Sequence, residues 1–358
     1  FFGLGSEEAS VPLKLNSGES VELIVEYSSE GSVALCGAQV GLRPPENENT
    51  FERAIKAAED ADVVIMVVGT DEEWETEGRD RENMDLPGNQ AELIRQVAAS
   101  NPRTLVVVNS GAPVTMDWVE NVNAVLVSWF GGQGMSDALV DVLLGDCEPS
   151  GRLPTTFPKC LEDTPAFTNY PGENSQVLYG EGVFVGYRWY DTRGIEVAFP
   201  FGHGLSYTTF EWGEPKITKL PSSQELIDGK TVDIKISVTN TGDRAGTEVV
   251  QCYVEHVEPV LARPKKELKG FQKVSLEPGE TKDVEINLGS RSFSYWDTAD
   301  PDWPERSIRV PVAAGGRKSG PGHRAIEGWY ADPGFYKAHL GVSATNLKAE
   351  IDINIDEN

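Results

Sequence analysis

The sequence predicts an α/β layer structure followed by an all-β sandwich, because the hydrophobic period changes along the chain. Helical and strand patterns alternate between residues 50 and 150 with short connections, as in doubly wound sheets. From about residue 215 the period is two, and turn residues separate short runs, as in a β-sandwich. The length of 358 residues allows two or three compact units.

The α/β layer begins with a predicted helix, in which apolar residues recur at helical spacing from Phe51 to Ala58. The next run, 63–68, is entirely apolar, which indicates a strand buried on both faces of a parallel sheet. A long polar loop follows from Gly69 to Pro87. Beyond it the pattern predicts a helix at 90–99, strands at 104–108 and 124–129, and a helix at 136–144.

The β-sandwich prediction depends on four runs with period two, and turns at Asn240-Thr-Gly and Glu277-Pro-Gly-Glu separate several of them. The runs cover 232–238, 249–254, 284–288 and 336–342. The stretch 303–328 interrupts this rhythm with many glycines, so we expect a poorly packed insertion there.

The first 44 residues also alternate as strands do. Val11–Leu15 and Val21–Tyr27 flank a turn sequence, which predicts a β-hairpin. Two strands do not fold alone, so we expect this hairpin to be the end of a larger β-domain. The segment 43–47, Arg-Pro-Pro-Glu-Asn, is the predicted linker. With no initiating Met and no signal peptide, we expect the chain to be a fragment or a processed piece.

The bulk composition excludes several classes of partner. The net charge of −26 argues against nucleic acid and anionic membranes, and there is no run of 18 apolar residues that could span a bilayer. Four cysteines are too few for a disulfide framework, although Cys147 and Cys160 are close enough in sequence to pair. The histidines and cysteines lack metal-ligand spacing. The absence of a glycosylation sequon favours a non-glycosylated form, but leaves cytoplasmic and secreted locations open.

The loop from Gly69 to Arg81 is the first candidate site, because ligands of parallel sheets lie beyond the carboxyl ends of strands. It could be a solvated acidic loop or a calcium site, although the spacing typical of a calcium loop is missing. The third interpretation is glycosidase chemistry, which needs one carboxyl group as proton donor and another as nucleophile. The carboxylates of this loop are Asp71, Glu72, Glu73, Glu75, Glu77 and Asp80.

Several collinear blocks resemble glycoside hydrolase family 3 β-glucosidases. The segment Glu77–Gln90, with Glu-Gly-Arg-Asp-Arg followed by Leu-Pro-Gly-Asn-Gln, is similar to the acid/base loop of that family. The stretch before residue 44 resembles the end of a protective-antigen-like domain that some members insert. Four other blocks are similar to the domain exit, the linker and the tail of the family: Gly151–Pro158, Tyr179–Asp191, Phe199–Tyr207 and Val238–Gly246 with Arg263–Phe271.

The resemblance implies a doubly wound α/β/α sandwich followed by a fibronectin type III-like β-sandwich. The implied division is 1–44 for the end of the inserted β-domain, 45–165 for the α/β sandwich, 166–214 for the linker and 215–358 for the fibronectin type III-like domain.

The resemblance also implies that Glu77 is the catalytic acid/base. The family nucleophile is an aspartate in a Ser-Asp-Trp segment of an N-terminal barrel, which is absent from this sequence. Asp117 lies in a superficially similar Met-Asp-Trp segment, but on the α/β domain, so we expect a structural role. Trp74 either stacks on a sugar face or anchors the loop. Arg79 stands where the family commonly has tyrosine, which indicates an altered leaving-group subsite.

The resemblance therefore implies the C-terminal part of a retaining, exo-acting β-glucosidase that releases terminal non-reducing β-D-glucosyl residues. Its partners would be a β-glucoside or small oligosaccharide and the N-terminal barrel of the same enzyme, with no metal or organic cofactor. Nucleic acid and membranes are not expected partners, whereas a homo-oligomer is left open. Without the barrel the chain is expected to be inactive. The alternative is a non-catalytic carbohydrate-binding or scaffold fragment.

Four other features favour structural roles. Gly131-Gly-Gln-Gly134 lacks a full phosphate-binding motif, so a tight entry into a helix is expected there. Ser110 and Ser128 lack the Gly-x-Ser-x-Gly turn of hydrolases with a serine triad. His203, within Phe-Gly-His-Gly, is expected to form structural hydrogen bonds rather than act as a base. Asp80 and Arg81 are expected to form ion pairs that hold the acidic loop.

Overall fold

A computed structural model describes residues 9–28, 40–42, 49–259, 262–297 and 328–356. The α/β part consists of α1 (Thr50–Glu59), β1 (Val64–Gly69), α2 (Gln90–Ser100), β2 (Thr104–Asn109), β3 (Ala124–Val127) and α3 (Met135–Leu144). The connecting part contains β4 (Phe157–Pro158), α4 (Tyr187–Arg193) and β5 (Val197–Phe199). None of the described helices is long and apolar enough to cross a membrane.

The α/β part is built on a parallel sheet in the order β1-β2-β3. Helix α1 packs on α2, and α2 packs on β2, where Ile94 shares an apolar cluster with Val106 and Val108. The buried side chain of Asn101, just after α2, donates hydrogen bonds to the carbonyl oxygens of Ala58 and Ala61 at 2.9 and 2.8 Å. The predicted alternation of strands and helices is therefore confirmed.

Strand β1 differs from the prediction that both of its faces are buried. Val68 lies in the core at 7% exposure, whereas Ile65 and Val67 on the opposite face are 50% and 61% exposed. Successive side chains of a strand point to opposite faces, and Ile94 of α2 packs in one cluster with Val68, on the face that is covered. Within the described part of the chain, the second face of β1 is largely uncovered.

The β part is a sandwich of two four-stranded sheets, one ordered β10-β9-β14-β15 and the other formed by β11, β8, β6 and β7. Every second residue of β8 is buried, as expected for a strand with one face on the core. The strands and helix of this part are β6 (Phe210–Trp212), β7 (Lys216–Lys219), α5 (Ser223–Ile227), β8 (Val232–Asn240), β9 (Gly246–His256), β10 (Glu267–Leu276), β11 (Thr281–Leu288), β12 (Tyr295–Asp297), β13 (Gly328–Tyr330), β14 (Gly334–Gly341) and β15 (Leu347–Ile355).

The sandwich is tied to the rest of the chain by buried polar contacts. Arg152 and Glu248 form an ion pair of 2.8 Å whose side chains are only 9% and 7% exposed. Lys266 pairs with Asp191 of α4 at 2.5 Å and is also buried. Together with the four-stranded sheets, these contacts confirm the predicted fold class of an α/β layer followed by a β-sandwich.

The predicted hairpin near the start of the chain is not formed in residues 9–28. The turn is present, because the backbone N–H of Glu19 donates to the carbonyl oxygen of Asn16 at 3.0 Å, but within residues 9–28 no strand pairing follows it. Val11 and Ile24 are 87% and 75% exposed. A two-stranded ribbon gains little stability unless its apolar face packs on further strands, which explains the difference.

Three further predictions concern the linker, the insertion and a disulfide. The linker at 43–47 and nearly all of the insertion at 303–328 lie outside the described residues. Cys147 and Cys160 are free thiols, so the disulfide considered from their spacing is not formed.

Candidate functional site

The acidic loop begins where β1 ends, at the carboxyl edge of the parallel sheet. Gly69 lies so close to β2 that a Cβ atom there would be 1.8 Å from the carbonyl oxygen of Asn109, so only glycine fits. The backbone N–H of Thr70 donates to the same oxygen at 3.0 Å. The chain therefore leaves β1 beside the end of β2, and the loop starts at the carboxyl edge of the sheet.

The side chain of Gln90, at the start of α2, fixes the same point from the other end of the loop. Its Nε2 donates to the carbonyl oxygen of Gly69 at 2.9 Å, and its Oε1 accepts from the N–H of Gly69 at 2.8 Å. One amide thus satisfies both backbone groups at the end of β1. The glutamine of the Leu-Pro-Gly-Asn-Gln segment closes the loop onto the strand.

The loop turns twice on its way to Glu77. Asp71 Oδ1 accepts hydrogen bonds from the N–H groups of Glu73 and Trp74 at 3.0 and 3.1 Å, which forms the first turn. Thr76 and Arg79 then pair as an isolated β-bridge. Glu77 lies at the tip of the second turn, between those two residues, and is exposed.

Glu75 is the half-buried carboxylate of the loop. Its Oε1 accepts from the hydroxyl of Thr70 at 2.6 Å and from the backbone N–H of Gly111 at 3.1 Å. The same oxygen lies 3.7 Å from a guanidinium nitrogen of Arg81. Charge-assisted hydrogen bonds of this kind are the stronger ones in proteins, so Glu75 ties the loop to the ends of β1 and β2.

Arg81 lies under the loop, with only 15% of its side chain exposed. Burial lowers its pKa, while the charges of Glu75 and Asp85 act in the opposite direction. One terminal nitrogen of Arg81 donates to the carbonyl oxygen of Pro113 at 3.3 Å. The predicted ion pair of Arg81 is thus present, and its partner is Glu75.

Asp80 has a different partner from the predicted ion pair. Its carboxylate accepts a hydrogen bond from the hydroxyl of Tyr170, in the connecting part of the chain. This hydrogen bond raises the pKa of Tyr170. Arg79 is exposed and donates to the carbonyl oxygen of Glu73. The loop is therefore braced by the connecting segment as well as by the sheet.

The ring of Trp74 is half-buried beside these contacts. Its Nε1 is buried and has no hydrogen-bond partner within the described part of the chain. Stacking on a sugar by Trp74, and leaving-group contacts by Arg79, stay predictions. Among the described residues, no cluster of three or more His, Cys, Asp and Glu side chains is arranged to hold a metal ion, so the calcium interpretation gains no support.

Two other candidates of the sequence, Asp117 and His203, have structural contacts. Asp117 forms an ion pair of 2.5 Å with Arg95 of α2, next to the buried Trp118. His203 donates and accepts through its backbone: its carbonyl accepts from the N–H of Leu153 at 2.8 Å. Burial lowers the pKa of His203, and its ring lies 5.2 Å from that of Phe199.

The two serines and the glycine-rich segment also have structural roles. Ser110 donates to the carbonyl oxygen of Ala112 at 2.9 Å, and Ser128 donates to that of Val108 at 3.2 Å. Gly134 has φ of 81° immediately before α3, which makes the segment a tight helix entry as predicted.

Sequence reasoning missed three residues of the loop environment, namely Thr70, Gln90 and Gly111. Gln90 was visible within the Leu-Pro-Gly-Asn-Gln segment, although nothing in the sequence identified its partner as Gly69. Gly111 follows β2 at the carboxyl edge, where ligand-binding loops of parallel sheets lie. Its contact with Glu75 spans 36 positions of the chain and has no local signal.

Comparison with known proteins identifies the class. A model of the glycosyl hydrolase family 3 C-terminal domain matches residues 5–187, about half of the chain. A model of a fibronectin type III-like domain matches residues 248–316. The chain belongs to glycosyl hydrolase family 3, and the resemblance inferred from the sequence blocks is confirmed.

The relatives of the chain are larger proteins. It is 39% identical to a β-glucosidase of Rhizobium radiobacter, over 99% of this chain and 41% of that protein. It is 46% identical to thermostable β-glucosidase B of Acetivibrio thermocellus, over 75% of this chain and 35% of that protein. The crystal structure of the Kluyveromyces marxianus β-glucosidase in complex with glucose superposes with a TM-score of 0.74 and 38% identity, covering 88% of this chain and 34% of that one. The chain thus spans about two fifths of the length of these relatives or less.

Proposed function

We propose that this chain supplies the general acid/base of a retaining, exo-acting β-glucosidase, and that Glu77 is that residue. The proposal is supported by family membership and by the relatives, which are named as β-glucosidases. The observation that carries it is the position of Glu77. Its exposed carboxylate lies at the tip of a turn that is held against the carboxyl edge of the sheet.

In a retaining glycosidase, one carboxyl group protonates the leaving oxygen while a second attacks the anomeric carbon. The first group then acts as a base, because it must remove a proton from the water that releases the sugar. Glu77 would take the first role on a terminal non-reducing β-D-glucosyl residue. The nucleophile would come from a barrel in another part of the protein, so the 358-residue chain alone is expected to show no turnover.

The neighbours of Glu77 would shape the leaving-group side of the site. Arg79 lies two positions beyond it and is exposed, so its guanidinium is available to contact the group that departs. Trp74, on the same loop, is half-buried, so its ring would either stack on a sugar or anchor the loop. Specificity for the leaving group would thus belong to this chain, whereas most contacts to the glucosyl residue would come from the barrel.

The test is Glu77→Ala in the complete enzyme, since a general acid typically contributes about 10²–10⁴-fold to the rate. Hydrolysis of cellobiose should fall by about that factor. A dinitrophenyl β-glucoside should keep a fast first step, because its leaving group departs as a stable anion. The covalent intermediate should then accumulate, and azide should release it as a β-glucosyl azide because azide needs no deprotonation.

Glu72→Gln is the matched control, because Glu72 is an exposed acid five positions earlier on the same loop. It should hydrolyse both substrates at the parent rate and show no azide effect. If Glu77→Ala keeps the parent rate on cellobiose, the acid/base lies elsewhere. The chain would then fit the alternative of a carbohydrate-binding or scaffold part of the enzyme.

A further inference from the structure

We propose that Glu75 is the positioning residue of the active-site loop: it holds Glu77 at a fixed height above the sheet. The inference rests on the proposed role of Glu77 and extends it to a second carboxylate. Glu75 does not touch the reacting atoms in this proposal. It acts through the backbone that joins it to Glu77, two positions away.

Three segments of the chain converge on one oxygen of Glu75. The hydroxyl of Thr70 comes from the end of β1, the N–H of Gly111 from the end of β2, and the guanidinium of Arg81 from the far side of the loop. The Glu75 side chain thus joins both strand ends and both arms of the turn. A shift of the turn away from the sheet would break all of these contacts together.

The backbone of Glu75 is fixed as well as its side chain. Its N–H donates to the carbonyl oxygen of Asp71 at 2.8 Å, in the first turn of the loop. Consecutive Cα atoms are about 3.8 Å apart, so two residues cannot carry Glu77 far from a fixed Glu75. The β-bridge between Thr76 and Arg79 further restricts the backbone at Glu77.

Gly111 makes this arrangement possible, because it leaves room for the carboxylate. A Cβ atom on Gly111 would lie 2.5 Å from Oε2 of Glu75 and 2.9 Å from the ring of Phe130. Both distances are too short for real contacts, so alanine at this position would displace Glu75 without altering any residue of the loop. The close approach of a glycine backbone to a carboxylate supports a built anchor rather than a chance contact.

The expected kinetic signature follows from how a general acid works. A misplacement of about 1 Å can cost on the order of 10²-fold in rate. The loss should concentrate on substrates whose leaving group needs a proton, because a dinitrophenolate departs without one. Glu77 itself remains present, so it would still activate water at the covalent intermediate, although more slowly. Azide should therefore accelerate release of the sugar far less than in Glu77→Ala.

The experiment compares Glu75→Ala, Glu75→Gln and Gly111→Ala in the complete enzyme with Glu72→Gln as control. Glu75→Ala and Gly111→Ala should slow cellobiose hydrolysis by about 10- to 10²-fold, leave the first step on dinitrophenyl glucoside unchanged and form far less azide product than Glu77→Ala. Glu75→Gln should recover most of the rate, because its amide oxygen still accepts from Thr70 and Gly111.

Amide hydrogen exchange of residues 72–80 in the same variants measures the anchoring independently of catalysis. Faster exchange in Glu75→Ala and Gly111→Ala, but not in Glu72→Gln, is the expected result. Unchanged exchange, or a loss in the first step on dinitrophenyl glucoside as large as the loss on cellobiose, would overturn the positioning role. Azide rescue in Glu75→Ala as large as that expected for Glu77→Ala would also overturn it, because Glu75 would then be the acid/base. Absence of rescue in Glu77→Ala would refute the proposed function alone, since the exchange result would stand.

Discussion

The β-sandwich and the α/β layer bury their apolar side chains to different degrees. In the sandwich the inner faces of both sheets meet, and residues such as Ile234, Leu340 and Ile353 are fully buried. In the α/β layer, Val106 and Val108 are equally buried, but Ile65 and Val67 of the edge strand β1 face outward. The sandwich therefore has a closed core, whereas the described α/β layer is covered on both faces at β2, where Val107 is fully buried, and is open on one face only at β1.

This difference places the candidate site beside the less buried of the two regions. The loop with Glu77 leaves the half-covered strand β1, and its polar contacts, rather than a hydrophobic core, hold it in place. Functional groups commonly lie on loops that a rigid scaffold positions. Here the rigid scaffold includes the sandwich, because Arg152 and Lys266 connect it to the part of the chain that reaches Tyr170 and Asp80.

The largest expected effect concerns the ion pair between the two regions. Glu248→Gln should lower the free energy of unfolding by about 3–5 kcal/mol, because it leaves the charge of Arg152 buried without its counter-charge. Both side chains are under a tenth exposed, so water compensates little. Denaturant unfolding followed by circular dichroism measures the loss.

The double variant Arg152→Met/Glu248→Leu is the control for this prediction. Replacing both charges with apolar residues of similar size is often neutral or stabilising. The double variant should therefore unfold near the parent midpoint. If it is as unstable as Glu248→Gln, the cost comes from the packing of the two regions and not from an unpaired charge.

The second prediction compares one strand residue of each region. Ile236→Ala in β8 should cost about 2–5 kcal/mol, because Ile236 is 1% exposed and its removal leaves a cavity. Val67→Ala in β1 should change stability by less than about 0.5 kcal/mol, because Val67 is 61% exposed. Urea unfolding of both variants gives the comparison. A cost for Val67→Ala as large as that for Ile236→Ala would show that both regions are equally closed.

The sequence predicted the element types well where the local period is strong. The alternation at 232–238 and the helical spacing from Phe51 to Ala58 became β8 and α1 with small shifts of their ends. Val11–Leu15 alternates equally well but forms no ladder, because alternation specifies an apolar face and not a partner strand. Strand β10 was not predicted from the sequence, because Lys269 and Gly270 interrupt its apolar pattern.

The candidate site was predicted in part. Glu77 was assigned from the resemblance of its segment, and its exposed position agrees with that hypothesis without testing it. Glu75 could not be told apart from the other acids of the loop, since its partners Thr70, Gly111 and Arg81 come together only in the fold. The hypothesis of an Asp80 ion pair was wrong about the partner, because Tyr170 lies 90 positions away in the sequence.

The smallest expected effect is a pH dependence that belongs to the sandwich. His256 ends β9, and its ring stacks on Tyr336 with centroids 4.4 Å apart. Burial, with a smaller contribution from the charge of Arg263, lowers the pKa of His256 to about 4. In the unfolded chain the pKa of histidine is about 6.5, so between these values the unfolded state binds a proton that the native state does not.

Stability from His256 should thus be fully present above about pH 6.5 and be lost as the pH falls towards about 4. The loss should be about 1–2 kcal/mol, once the shift is discounted for the half-exposed ring. His256→Phe keeps an aromatic ring on Tyr336 but cannot titrate, so its urea midpoint should fall less than that of the parent between pH 6.5 and 4. His203→Phe is the counterpart outside the sandwich, because burial also lowers the pKa of His203. Parallel pH profiles for His256→Phe and the parent would show that His256 is protonated equally in the folded and unfolded chains.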